Sequence, residues 1–598
     1  MIDHGLIGNC QALALVRRDG IVTWACLPRP DSPPVFGRLL DEDGGEFAIS
    51  PLAAARSECR YRPNTAILET THETADGERF SVTDFYPRFE QHGRTYRPLQ
   101  LVRIVRPLVG MPVVSVRCRP VVGWTKERAR QQRGNSHIRY DGYDGALRLT
   151  TDLPLTYLMD ERPTPLTRPL YFVLSWDVPM EADLAETCEL FLTRTENHWR
   201  TWVKRCSLPS SWQAEVVRSA ITLKLHCFEE TGAVLAAPTT SLPEIVGASR
   251  NWDYRYCWLR DAWFTVSALC RLGHFDDLEG LLGFLLNVVR EGDVLDTGLK
   301  AAHGRLHPVY RLDGTLPLPE LSHAAWRGVG GSQPVRSGND AASHVQNDIY
   351  GEMLLSLSTL FRDERLIHLR TDHWERLLGR LAERCYQVLG EPDAGLWELR
   401  GGWRPHAFSA LLSWAGIHAY ARLAASGRVH ADVTLWQSRL AEAEAELRRS
   451  VVDGALRSAP GSRDADASLA LLAILGFPDA ALCDGTLRVI IDQLSLRVDG
   501  KDSGFYFRYR HADDFGVPDH AFVVCSFWVA EALARRGDLA GGARVFADAL
   551  TAANPLGLIA EHFDPRTGQP TGNFPQCYSH VGLIAAAFAV SPESPLIG

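Results

Sequence analysis

The chain has 598 residues, 45% of them hydrophobic and 23% charged, which provides for a large core and for more than one domain. Sixty-three basic against 72 acidic residues leave a formal charge of −9, spread along the chain, which argues against a nucleic acid or an anionic membrane as partner. Thirteen cysteines without a C-x-x-C pair favour free thiols in a reducing compartment over a disulfide framework or a structural zinc.

The opening MIDHGLIGNCQALALVRRDG lacks the charged start and apolar stretch of a signal peptide. No apolar run approaches the roughly 20 residues of a membrane span. A cytoplasmic protein with no membrane association is therefore expected. Residues 1–180 read as β structure: AILETTHET, VVSVRCRPVV, ALRLTTDLPLTYL and LYFVLSWDV are short apolar runs bounded by turn residues, as in a sandwich. Residues 181–211, containing EADLAETCELFLTRTENHWRTWVKRC, read as a helical linker.

From residue 212 to 598 the apolar period becomes helical. Twelve helices are predicted, at 212–231, 261–272, 276–290, 346–362, 368–389, 405–424, 431–449, 464–475, 479–493, 520–536, 538–553 and 578–590. Twelve helices make six hairpins, and an α/α toroid of six inner and six outer helices closes such a set. A bundle or solenoid is the rival, but no fixed-length repeat is visible. Two loops, 294–345 and 494–519, are too long for simple connectors and read as binding loops.

Three segments offer chemistry. RNWDYRYCWLRDAW, Arg250 to Trp263, sets aromatics beside Arg and Asp, which suits the apolar face and hydroxyls of a sugar but suits a packed, ion-paired core edge equally well. DAGLWELRGG places Glu398 after Trp397 in a Gly-flanked loop, where an apolar neighbour would raise a carboxyl pKa as a general acid requires. GLIAEHFDPRTGQPTGNFPQCYSH places Glu561 in another turn-rich loop. Taken alone, each glutamate is more simply a cap or surface residue; two such loops together fit the paired carboxylates of glycoside cleavage. There is no phosphate loop, nucleophile elbow or H-E-x-x-H motif. GVGGS at 328–332 follows no clear strand and is a poor dinucleotide site, and His303 with His307 lack the further ligands of a metal site. No metal or cofactor is expected.

DHGLIGNCQALALVRRDGIVTWACLPRPDSPPVFGRLL, NWDYRYCWLRDA, VQNDIYGE, GLWELRGG and GNFPQCYSHVGLI together resemble glycoside hydrolase family 15, the glucoamylase and bacterial trehalase-like group, over nearly the whole chain. The resemblance implies an N-terminal β-sandwich, a catalytic (α/α)6 barrel, and hydrolysis with inversion. It places Glu398 on the general acid and Glu561 on the general base, in the pattern S-E-x-[YF]-D read here as AEHFD. It assigns Arg260 and Asp261 to the grip on the terminal glucose, Tyr254 and Trp258 to the same subsite, and Arg508, with Arg510 as its competitor, to the leaving-sugar side. Trp397 precedes the acid, and Trp326 and Arg327 fall in a loop implied to shape the leaving-group side. The sequence departs from the family at Leu399, where some glucoamylases carry a second glutamate, at Ala560 for the usual serine, at the extra Val329-Gly330, and at VTWACLPRP near the N-terminus. The expected partner is a small α-linked glucoside; trehalose, isomalto- and malto-oligosaccharides all stay open, as does a homo-oligomer. A disaccharide phosphorylase on the same barrel and a catalytically silent glucan-binding protein are the competing readings.

Overall fold

A computed structural model describes residues 2–291 and 305–592. The N-terminal part is two antiparallel sheets. One runs in the order His4–Gly8, Leu13–Arg17, Val22–Cys26, Glu46–Pro51, Val113–Arg119 and Thr164–Pro165, with Pro34–Phe36 paired beside Val22–Cys26. The other runs Arg130–Arg133, His137–Asp141, Leu147–Thr151, Leu170–Trp176, Gln100–Val109, Arg79–Phe85, Leu68–Thr74 and Ala55–Tyr61. A short helix α1 (Leu155–Met159) follows the third of these.

Alternation sorts the side chains of the second sheet. Leu101, Phe172 and Leu174 join Phe36 and Phe47 in the core between the sheets. Their neighbours Val102, Ile104 and Val173 face the other way, onto Cys188, Phe191 and Leu192 of helix α2 (Leu184–Val203). A strand covered on both faces needs no polar side, which is why LYFVLSW is buried throughout and apolar but for Ser175 and the Tyr171 hydroxyl.

Twelve α-helices follow among the described residues: α3 (Gln213–His226), α4 (Leu259–Leu272), α5 (Phe275–Glu291), α6 (Asp348–Arg362), α7 (Asp372–Gln387), α8 (Ala407–Ala425), α9 (Val433–Arg448), α10 (Leu471–Ile474, continuing a 3-10 turn at Ala467–Ala470), α11 (Ala480–Leu494), α12 (Val523–Arg535), α13 (Leu539–Ala549) and α14 (Cys577–Val590). Helices α4, α6, α8, α10, α12 and α14 close into an inner ring, α8 meeting α10 through the 3-10 turn Ala467–Ala470, and α3, α5, α7, α9, α11 and α13 lie outside it. The sequence reflects the layers. Inner helices such as α8 and α12 are buried on nearly all sides, whereas outer α7 buries only Leu377, Leu378, Leu381, Ala382 and Cys385. Helices α6 and α8 cross closely because Gly351 carries no side chain; a Cβ there would lie 2.0 Å from the Leu412 carbonyl oxygen.

The connections are unequal. Inner-to-outer links are short, as at residues 273–274 and 536–538, whereas outer-to-inner links are long, as at 227–258, 388–406 and 495–522. All the long ones lead into the N-terminal ends of the inner helices, so one end of the barrel is built of loops. The predicted loop 494–519 contains the hairpin Ser495–Val498 and Lys501–Tyr506. Of the predicted loop 294–345, residues 294–304, with His303, lie outside the described residues. No described helix is long and apolar enough to cross a membrane.

Candidate active site

A pocket of about 870 Å³ opens at the loop end of the barrel. Its lining includes eight sequence-predicted residues: Tyr254, Trp258, Arg260, Asp261, Trp397, Glu398, Arg508 and Glu561. Several of these lie at or just before an inner-helix N-terminus. Trp258 caps α4, Arg260 and Asp261 form its first turn, and Tyr578 opens α14.

Glu398 projects from a tight turn. Its backbone amide bonds the Gly395 carbonyl at 3.1 Å, and its own φ is +59°, a conformation that L-residues adopt at a cost. The Trp258 indole N–H donates to its Oε1 at 2.7 Å, and Arg260 Nη2 and Gln346 Nε2 each approach the same oxygen at 3.4 Å. The expected neighbour Trp397 turns its own N–H to Asp466 at 2.9 Å and packs edge-on against Phe522. The tryptophan bonded to Glu398 is thus Trp258.

Glu561 is 2% exposed. The Tyr254 hydroxyl donates to Oε1 at 2.7 Å, and the Asn573 amide reaches Oε2 at 3.4 Å. His562 Nδ1 stands 3.5 Å from Oε2. The two carboxylates are therefore held by separate donor sets, and each keeps an oxygen that accepts from no more than one backbone amide.

Below them Arg260 and Asp261 are buried together, Nε to Oδ2 at 3.9 Å. Burial pushes the Asp261 carboxyl up to about 6, with Arg260 opposing. On α6, Asp348 and Glu352 stand one turn apart and fully buried. Burial pushes Asp348 up to about 6, and burial with the Asp348 charge drives Glu352 well above the usual carboxylate range. The VQNDIYGE motif thus supplies acidic groups in the barrel interior that residue typing alone had not separated from helix surface.

Arg508 lines the pocket, buried and forked onto Glu244 at 2.9 and 3.3 Å; Arg510 is exposed, with its guanidinium over Phe507. Trp326 and Arg327 do not line the pocket. Trp326 is fully buried against the N-terminal sheets, its indole N–H on the Trp124 carbonyl at 2.9 Å and its ring in the space left by Gly37 and Gly44. The Arg327 amide bonds Asp41 at 2.9 Å, and its guanidinium pairs with Asp41 and Asp43 at the surface. Trp326 is part of the sheet–barrel packing, and Arg327 is an ion-paired surface residue beside it. Lining residues not singled out include Asn339, His344, Arg400, Asp513, Asp514, Phe515 and Gln576. The long-loop signal at 294–345 and 494–519 pointed to five of them. His307 bonds the Ala342 carbonyl at 2.6 Å, and no group of three or more metal-ligating side chains occurs among the described residues.

The family model "Glycosyl hydrolases family 15" matches residues 212–588, and "Trehalase-like, N-terminal" matches residues 2–150. Among curated proteins, the chain is 32% identical to "Trehalase" of Mycolicibacterium smegmatis, with 98% of this chain and 91% of that protein covered. It is 31% identical to "Trehalase" of Mycobacterium tuberculosis, with 98% and 89% covered. It is 30% identical to "Trehalase 1" of Sulfolobus acidocaldarius, with 97% of each covered. Among solved structures, a bacterial glucoamylase complexed with acarbose superposes with a TM-score of 0.68 at 13% identity, covering 98% of this chain and 93% of its own, a likeness of fold.

Proposed function

The chain belongs to glycosyl hydrolase family 15 and is a glycoside hydrolase, and we propose that it removes a terminal glucose from a small α-glucoside, trehalose foremost, with inversion at the anomeric carbon. The observation that carries the reading is the pair Glu398 and Glu561, lining one pocket and each oriented by its own donors. Glu398 in its acid form donates a proton to the glycosidic oxygen. Glu561 as carboxylate takes a proton from water, which forms the new C1–O bond as the bond to the leaving sugar breaks. The Tyr254 hydroxyl and the Asn573 amide fix the Glu561 carboxylate. Buried Arg260 and Asp261 form the closed end that receives the terminal glucose, so attack is exo. An inverting pair stands about 6.5–9.5 Å apart to admit the water. Trehalose is preferred because the similar curated proteins carrying that activity in their names align over almost their full length. All thirteen cysteines are free, which supports a cytoplasmic location.

The test follows the anomers. Inverting hydrolysis of α,α-trehalose yields one α-glucose from the leaving group and one β-glucose from the attacked ring; retention yields only α. Proton NMR before mutarotation is expected to show equal α and β signals. Glu398→Gln and Glu561→Gln are each expected to lower kcat by about 10²–10⁴-fold. Full activity in the Glu561→Gln variant would remove it as the base.

A further inference from the structure

Resting on the exo-glucosidase reading, we infer that Phe515 is the platform for the leaving-group sugar, and that ties made by Arg400 close the pocket mouth beyond it and restrict the enzyme to disaccharides. Depth in the pocket is ordered by exposure. Glu561, Asp261 and Tyr578 are at most 3% exposed at the floor, Phe515 is half-buried, and Arg400 and Asp514 are exposed at the rim. Substrate reaching from the floor past Glu398 therefore meets Phe515 first and the Arg400–Asp514 contact next.

Phe515 is held rigidly. Its amide bonds Asp513 Oδ1 at 2.8 Å, and Asp513 is gripped at 2.7 and 2.6 Å by both terminal nitrogens of Arg250. The Arg250 and Arg400 guanidiniums stand 5.5 and 5.4 Å from the Phe515 ring centre, and Trp252 meets it edge-on at 5.4 Å. A ring fixed in a pocket lining offers an apolar face to one sugar ring at little entropic cost.

The closure is made by side chains from different connections. The Arg400 amide bonds Asp514 Oδ2 at 2.6 Å, tying the loop of the acid to the 508–516 loop. The Arg400 side chain bonds both oxygens of Glu320 at 2.9 and 3.2 Å, and Glu320 also pairs with Arg336. An exposed ion pair is individually weak, but a network that joins three loops restrains all of them. With Leu399 beside Glu398 where a longer acidic side chain would reach outward, the second sugar is held by the aromatic lip and the third position is taken by protein.

Kinetics on purified full-length enzyme test this with trehalose, maltose and isomaltose, each against its homologue one glucose longer. For whichever disaccharide is cleaved, the longer homologue is expected to have a kcat/KM at least 10-fold lower. Asp514→Ala and Arg400→Ala are each expected to narrow that ratio several-fold. Phe515→Ala is expected to raise KM for the disaccharide about 10-fold with kcat changed less than 3-fold. Cleavage of none of the disaccharides would overturn the functional reading itself. Equal use of a disaccharide and its longer homologue by wild type would overturn the closure alone. An unchanged KM in Phe515→Ala, or in Phe515→Leu should the alanine variant not fold, would overturn the platform.

Discussion

The side of Glu561 opposite Tyr254 is formed by Gly572, at φ +78°. A Cβ on Gly572 would lie 2.6 Å from Glu561 Oε2, 2.8 Å from its Cβ and 2.9 Å from His562 Nδ1, closer than real contacts allow. Gly572→Ala is therefore expected to displace the carboxylate and lower kcat by about 10²-fold, since a shift of about 1 Å costs that much where geometry is the catalyst. The left-handed backbone adds about 1 kcal/mol of instability. Steady-state kinetics and a melting curve check the two effects separately: a variant with lowered melting temperature but wild-type kcat would show that the glycine serves the turn and not the Glu561 carboxylate. Neither glutamate announced itself by residue type, because a lone Glu in a loop is ordinarily solvated. The surrounding motifs carried the assignment, and both residues do line one pocket. Trp326 and Arg327 show the converse. The resemblance implied a leaving-group role for their loop, but Gly37 and Gly44, nearly 300 residues earlier, leave the space that the Trp326 ring fills, and that pairing exists only in three dimensions.

At the scale of elements, the long apolar periods identified the helices well. Twelve were expected and the described residues of the two rings contain twelve, with the largest difference at α10, where the expected helix 464–475 is a 3-10 turn continued by a single α turn. The loops were legible only as long, because their order comes from side-chain bonds to distant segments. The segment before α4 is an example. Buried Arg255 forks onto buried Asp253 at 2.9 and 2.7 Å and donates at 2.6 Å to the carbonyl of Ser32, in the turn before strand Pro34–Phe36 of the N-terminal part. Trp24 adds a bond from its indole N–H to the Pro238 carbonyl at 2.7 Å. The sheets thus hold the segment that delivers Tyr254 and Trp258. Arg255→Lys keeps the charge but cannot span both acceptors, so it is expected to cost about 2–4 kcal/mol of stability and to lower kcat/KM together with it. Calorimetry and kinetics on the same preparation check this; an unchanged melting temperature would show that the sheets do not brace the segment through Arg255.

Over the whole molecule, burial has set two groups of titrating side chains against each other. His4, His72, His274 and His406 are held down at about 4 and His198 at about 3, chiefly by burial. Asp261 and Asp348 are pushed up to about 6 and Asp393 to about 7, again chiefly by burial. For a histidine whose folded pKa lies below its unfolded value of about 6.5, the unfolded chain binds the proton first, so stability is full above 6.5 and is lost as pH falls toward 4. For a carboxyl whose folded pKa lies above its unfolded value of about 4, stability is lost as pH rises from 4 through 6 or 7 and is regained on acidification. Between pH 7 and 5.5 each such histidine loses about 1 kcal/mol, while the carboxyls titrating at about 6 regain less than that. Among the described residues eleven imidazoles are held down against seven carboxyls pushed up, which leaves the histidines in control, and the balance tilts further below pH 5.5. The melting temperature is therefore expected to vary little between pH 7.5 and 6.5 and to fall steadily from pH 6.5 to 4.5, well above the range where ordinary carboxylate ion pairs protonate. His72 is a suitable probe, buried with its ring stacked on Phe80 at 4.5 Å and bonded to Ser57 at 2.8 Å, remote from the pocket. His72→Gln is expected to lower the melting temperature at pH 7.5 and to shrink that deficit at pH 5, because glutamine takes up no proton on unfolding. A deficit that stays constant with pH would show that the buried imidazoles do not set the acid limit of the fold.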